Sequence, residues 1–229
     1  MSIFVSRSIA CPACGAAVSF EMVHSVNADR RPDLRQAILA RRFQRQECPA
    51  CSNSFRLDPD FNYLDLARGQ WIAAALVAVL GAWRQRESDT KALFARAYGK
   101  DAPDTVRALA ERLRPRLTFG WPALREKLLI AAHGLDDIAV EACKATAMRG
   151  SEDLSFPAAA DLRLLMAQKD RLVFAWQDNA DAELGEWIAV SRALHDEIVA
   201  DDDGQWQLFK TGFDGALFVD LARDLLATS

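Results

Sequence analysis

The sequence predicts an α+β protein, and three observations carry that prediction. Short runs in which apolar and polar residues alternate, the period of a half-buried strand, occupy the first 80 residues and return after residue 160. Segments bounded by Pro, Gly and Asp at the places helix ends favour them fill the stretch between. One tetrapeptide occurs twice near the start, as Cys11-Pro-Ala-Cys14 and Cys48-Pro-Ala-Cys51, which marks a small β module built around its cysteines.

The elements follow in order. Val18, Phe20, Met22, His24 and Val26 alternate with polar neighbours and predict a strand. Pro32 to about Phe43 reads as a helix: Pro32 suits a first helical position, Asp33 the positive end, and Arg41 and Arg42 the negative end. Phe55 and Leu57 suggest a short strand, and residues 61–66 and 71–77 a hairpin around Ala67-Arg68-Gly69-Gln70. Residues 83–103 predict a helix and a connecting loop. Asp104 to Arg114 predicts a short helix stopped by Pro115, and Arg116 to Trp121 a strand. Helices are expected over Pro122 to His133, stopped by Gly134, and over Asp136 to Met148. Leu162 to Met166 and Leu172 to Trp176 predict two strands joined by a Lys169-Asp170 turn. Residues 184–199 are expected to be helical, Asp201 to Gly204 to form a turn ahead of Trp206 to Phe209, and Ala216 to Ala227 to form a last helix.

With 51% hydrophobic and 26% charged residues the chain has the composition of a globular protein and excludes intrinsic disorder. Its net charge of -4 is unevenly spread: residues 1–70 hold nine Arg, no Lys and seven acids, and the acidic excess lies beyond them. No strongly basic face of the kind nucleic-acid binders carry is visible. The longest apolar run, Trp71 to Trp83, is shorter than the roughly 20 residues a bilayer span needs, so no membrane association is expected. The first residues lack the basic segment and long apolar core of a secretory signal, and a cytoplasmic location, where thiols stay reduced, is expected.

In each Cys-x-x-Cys one tight turn can aim both sulfurs at one ion, and two such turns supply the four sulfurs of a closed tetrahedral Zn²⁺ site. Cys11, Cys14, Cys48 and Cys51 are therefore the expected ligands of one structural zinc. Paired disulfides, a redox Cys-x-x-Cys and an iron–sulfur cluster are the competing readings. The 33 residues between the pairs exceed the usual roughly 15–20 of a zinc ribbon, and the helix from Pro32 accounts for the excess as an insertion. The fold expected is thus a zinc-ribbon-like N-terminal module with an inserted helix, over residues 1–82, followed by helical and mixed α/β segments over residues 83–229.

The doubled Cys-Pro-x-Cys, with Ser25-Val-Asn27-Ala-Asp29 and Pro32-Asp-Leu between and Tyr63-Leu-Asp65 after, resembles the CpXC domain family of prokaryotic, including bacterial, proteins. The likeness covers about residues 5–80 and continues more weakly through Phe119-Gly-Trp, Glu126-Lys-Leu and Gly134-Leu-Asp-Asp137 to Glu141. It implies zinc on Cys11, Cys14, Cys48 and Cys51 and names no activity. Glycine commonly follows each knuckle motif; Gly15 conforms and Ser52 departs, which predicts slight strain in the second turn.

Other residues are weighed against plainer roles. His133, Asp136, Asp137, Glu126 and Glu141 could form an acid/base or metal patch, but helix termination at Gly134 and acids at the next helix start explain them more simply. His24 is expected on the apolar face of its strand, Cys143 as a small buried hydrophobe, and Asp201-Asp202-Asp203 as a solvated turn without calcium-loop spacing. Arg41, Arg42 and Arg45 with Phe43 offer a faint nucleic-acid stacking pattern. No nucleophile-elbow, phosphate-loop, dinucleotide or His-Glu-x-x-His motif is present. The leading expectation is an interaction or adaptor protein with a protein partner. The alternatives are a nucleic-acid-binding zinc ribbon and an enzyme with a site near His133.

Overall fold

A computed structural model of the chain describes residues 1–150, 160–178 and 183–223. The architecture is α+β. Strands β1 (Ile3–Ala10) and β2 (Ala17–Asn27) form an antiparallel hairpin whose turn holds the first cysteine pair. Helix α1 (Pro32–Leu39) follows, then a small ribbon of β3 (Arg45–Glu47) and β4 (Ser54–Arg56), whose turn holds the second pair. Next come β5 (Phe61–Asp65) and β6 (Gln70–Ala75), α2 (Trp83–Tyr98), α3 (Asp104–Ala110) and β7 (Arg114–Phe119).

These strands make one sheet in the order β1-β2-β5-β6-β7, parallel at β2–β5 and β6–β7 and antiparallel elsewhere. Helix α4 (Gly120–Ala132) lies with α1 on one face, where Ile38, Tyr63, Ile72, Leu124 and Leu128 share a core. Because neighbouring residues of a strand point to opposite faces, Ile72 enters that core while Trp71 packs on Phe94 of α2, ring centroids 5.2 Å apart. The chain beyond residue 82 thus supplies both a strand and a covering helix to the sheet that the N-terminal residues begin. Among the described residues no helix is long and apolar enough to cross a membrane.

Helix α5 (Asp137–Arg149) leads to a second sheet, β10-β9-β8, formed by β8 (Ala160–Ala167), β9 (Arg171–Asp178) and β10 (Glu183–Ser191). Helices α6 (Arg192–Ala200) and α7 (Gln207–Thr211) complete it. Cys143 is fully buried in α5 within this second core, among Val140, Leu172, Phe174 and Ile198, as a small hydrophobe should be.

The structure corrects the sequence expectation at several points. The span 184–199 is not one helix: its first part pairs with β9, Ile188 opposite Phe174 and Val190 opposite Leu172, and the helix begins after Ser191. The Ser191 side chain accepts from the Ala193 N–H and caps it. Residues 216–221 are not helical either; helical residues appear only at Ala222 and Arg223, and the rest of that expected helix lies outside the described residues. There the chain runs beside β7, with the Leu117 N–H donating to Leu217 O and the Leu217 and Phe218 N–H groups donating to Glu87. Leu217 and Phe218 join Phe119 in a third cluster, so tertiary packing overrides helical propensity. His24 is exposed rather than on the apolar face: Phe4 pairs with Val23 and Ile3 with Ser25, which leaves His24 as the extra residue of a bulge.

Candidate metal centre

The two cysteine turns are conformational duplicates. In the first, the Cys11 N–H donates to Ala16 O at 2.8 Å and the Gly15 N–H to Cys11 O at 2.9 Å. In the second, the Cys48 N–H donates to Asn53 O at 2.9 Å and the Ser52 N–H to Cys48 O at 2.8 Å. Each turn closes through a left-handed residue, Gly15 at φ 73° and Ser52 at φ 55°. Serine pays a steric cost there that glycine does not, as the sequence anticipated. Ser52→Gly is therefore expected to raise stability by about 0.5–1 kcal/mol, the relief of strain being partly offset by unfolded-chain entropy. A thermal melt of the two proteins checks it, and an unchanged or lower midpoint refutes the account.

Each turn contributes one buried cysteine, Cys11 and Cys48, and one exposed, Cys14 and Cys51. The hairpin β1–β2 and the ribbon β3–β4 bring all four sulfurs within 4.8 Å of one another, a group that could hold a metal ion. Sγ of Cys11 is 3.8 Å from that of Cys51, and Sγ of Cys14 is 3.7 Å from that of Cys48. A tetrahedral ion with metal–sulfur bonds of about 2.3 Å would space its sulfurs about 3.8 Å apart. The separations fit coordination and are far too long for disulfides, and all four cysteines are free thiols.

The donor chemistry agrees. Burial raises the Cys11 thiol, but the Cys14 and Ala13 N–H groups and the thiols of Cys48 and Cys14 outweigh it and bring its pKa down to about 7. The Asn53 N–H favours the Cys51 thiolate, yet the three neighbouring sulfurs and burial push that thiol up to about 12. Four thiols so close resist collecting negative charge by themselves, and a bound cation would let all of them ionise.

Little packing holds this end of the molecule. Its own cluster consists of Cys11, Cys48 and Val18 with Ala16 and Phe55 against them. The ribbon docks on the main core through Phe43, which lies edge-on to Trp121, through the Arg56 guanidinium 3.8 Å above the Trp121 ring, and through a bond from Trp121 Nε1 to Leu57 O. Phe43 is therefore core, and the stacking pattern sought around Arg41, Arg42 and Arg45 lacks its aromatic member.

The model of the CpXC protein family matches residues 9–144, more than half of the chain. The chain belongs to the CpXC family. No curated protein and no solved structure matches it. The CpXC match holds both cysteine turns, the five-stranded sheet from β2 onward, and α4 with most of α5.

The acids weighed around His133 have other employment. His133 is exposed at the end of α4. The Asp136 carboxylate accepts from the Ile138 and Ala139 N–H groups and caps α5, and its own N–H donates to His195 Nε2. Glu126 and Glu141 belong to a buried network that the sequence did not reveal. Lys144 Nζ donates to Glu126 at 2.8 Å and to Glu141 at 2.9 Å. Arg163 reaches Glu126 at 3.1 Å and Asp220 at 2.5 Å, and the Leu164 and Leu221 N–H groups donate to Glu126 and Glu141. Burial alone would raise Glu126, but Lys144, Arg163 and Lys127 hold its carboxyl below the usual range. Every member is partnered, as charges removed from water must be.

Proposed function

We propose that the CpXC centre of this chain is a structural zinc site and that the protein acts in the cytoplasm as an interaction or adaptor protein. The observation that carries the zinc reading is the grouping of four cysteine sulfurs within 4.8 Å of one another, two pairs of them at the separation of a tetrahedral edge. Four protein thiolates fill the coordination sphere, so the ion would have no open position for water or substrate and would serve to hold two turns together. Soft thiolates in this geometry favour zinc, with iron the competitor. The protein-partner reading draws support from aliphatic surface on α6 and α7: Leu208 is 85% exposed and Val199 45%, on elements that Lys210 joins by donating to Val199 O.

Protein purified without added metal should contain about one zinc per chain, and Cys11→Ser should lose it. Metal analysis that finds iron, or metal content that Cys11→Ser leaves unchanged, refutes the zinc reading. Tagged protein recovered from its native source after nuclease treatment should retain a stoichiometric protein partner. If instead protein recovered without nuclease carries salt-sensitive nucleic acid, and neutralising Arg41, Arg42 and Arg45 abolishes it, the nucleic-acid reading replaces the adaptor.

A further inference from the structure

Toward the opposite edge of the sheet from the β1–β2 hairpin, a cleft of about 310 Å³ opens between the starts of β6 and β7 and the second half of α4. The parallel register sets Gln70 beside Arg114 and Ile72 beside Arg116. With a side-chain period of two, all four share one sheet face, and all line the cleft. Arg112, in the turn that leads into β7, lines it too. Gly69 makes the juxtaposition possible: at φ 63°, a Cβ there would come within 2.6 Å of Arg112 O, so only glycine lets the turn carrying Arg68 lie against Arg112. Lys127 of α4 forms the roof.

The charge is lopsided. Four arginines and a lysine line the cleft against one carboxylate, Asp137, in a protein whose net charge is -4. Asp137 is already engaged by Arg116 at 2.6 and 2.9 Å and by Lys127 at 3.2 Å. Arg68 shares the buried Asp65 with Arg35. Arg114 stands 3.6 Å from Asp136, which is committed to capping α5. Arg112 has no carboxylate partner among the described residues. A further polar group is left over: Gln70 is 7% exposed, its amide nitrogen donates to Lys127 O, and its side-chain oxygen is buried without a partner.

We propose that this cleft is a binding site for a small phosphorylated ligand, with Arg112 and Arg114 as the phosphate-binding side chains. Two planar guanidinium groups, one in the turn before β7 and one on its first residue, offer paired donors to phosphate oxygens. The unpartnered Gln70 oxygen would accept from a hydroxyl or a protonated oxygen of the same ligand. The volume suits a small molecule rather than a nucleic-acid strand. The site draws on no metal ligand and stands whether or not the cysteine centre holds zinc.

Calorimetric titration of the full chain with inorganic phosphate, pyrophosphate and ribose 5-phosphate, at constant ionic strength, tests the proposal, with citrate as the carboxylate comparator. Saturable binding of at least one phosphate compound is expected, and the double variant Arg112→Ala/Arg114→Ala should weaken it by about tenfold or more. Both side chains are exposed, so the variant should melt where the parent does. Heats that fail to saturate at millimolar ligand, affinity unchanged in the double variant, or citrate binding more tightly than every phosphate compound would each overturn the assignment.

Discussion

Replacing Lys144 by methionine is expected to destabilise the protein by about 3–5 kcal/mol, the cost of taking from two buried carboxylates the cation they share. Lys144 sits 2.8 and 2.9 Å from Glu126 and Glu141, and all three side chains are shut away from solvent. Since whole domains are stable by only about 5–15 kcal/mol, a loss of this size should show as a large drop in denaturation midpoint and poor yield. Adding Glu141→Gln to Lys144→Met should recover part of the loss, because the second change removes one of the two buried acids that Lys144 had balanced. A single-variant cost under about 1 kcal/mol would show the network to be dispensable. The acid response follows from the same groups. Burial would raise the Asp220 carboxyl, but Arg163 and then Lys144 bring it to about 2, against the usual 3.8. A depressed carboxyl contributes stability that is complete above the unfolded-chain value and lost as pH falls toward the folded one. Asp220→Asn should therefore flatten the loss of stability between pH 3.8 and about 2. Glu141 has the opposite sign: burial lifts it to about 7, so its ionisation costs stability as pH rises through that value.

Stripping metal with a strong chelator should unfold the cysteine end of the molecule and leave the second core standing. Beyond the cysteines the two turns gather Val18, Ala16 and Phe55, with Phe20 against Phe55, little apolar burial to set against the entropy of ordering them. Binding energy of structural zinc in isolated finger peptides is about 10–16 kcal/mol, large enough to be the main stabiliser of such a module. Hydrogen exchange should accelerate across residues 9–18 and 45–56. The amides of β9, in the core of Phe174 and Trp176, should stay protected. Uniform acceleration throughout the chain would mean that the centre supports the whole fold, and no acceleration would mean that it supports none of it.

The cysteine centre was legible because its information is local. Two spacings of two residues, each with a turn built by neighbouring amides, specify most of the geometry, and Ser52 betrayed its strained conformation by standing where Gly15 stands in the first copy. The helices from Gly120 to Ala132 and Asp137 to Arg149 were legible for the same reason. The ionic network was not. Glu126, Glu141, Lys144, Arg163 and Asp220 are scattered through the chain, and in a helix with apolar and charged sides the charged side is normally assumed to face water. The available signal was Arg125-Glu126-Lys127 set between Leu124 and Leu128, in a helix nearly all of which is buried. Likewise, Arg114 and Arg116 alternate as a strand face does, with Arg112 in the turn before them, but only the register with β6 shows what that face looks onto. The strand within 184–199 was missed because its pairing partner, not its composition, decides its form.

The buried network has a consequence for where this protein can be cut. The family match ends at residue 144, the position of the lysine that two carboxylates share. Arg163 and Asp220, which complete the set, come from the chain beyond. A fragment trimmed to the matched residues would end on a bared electrostatic knot, with Glu126 and Glu141 stripped of one cation and of the amides of Leu164 and Leu221. The residues that the family model matches are therefore tied, through this network, to side chains that lie beyond residue 144.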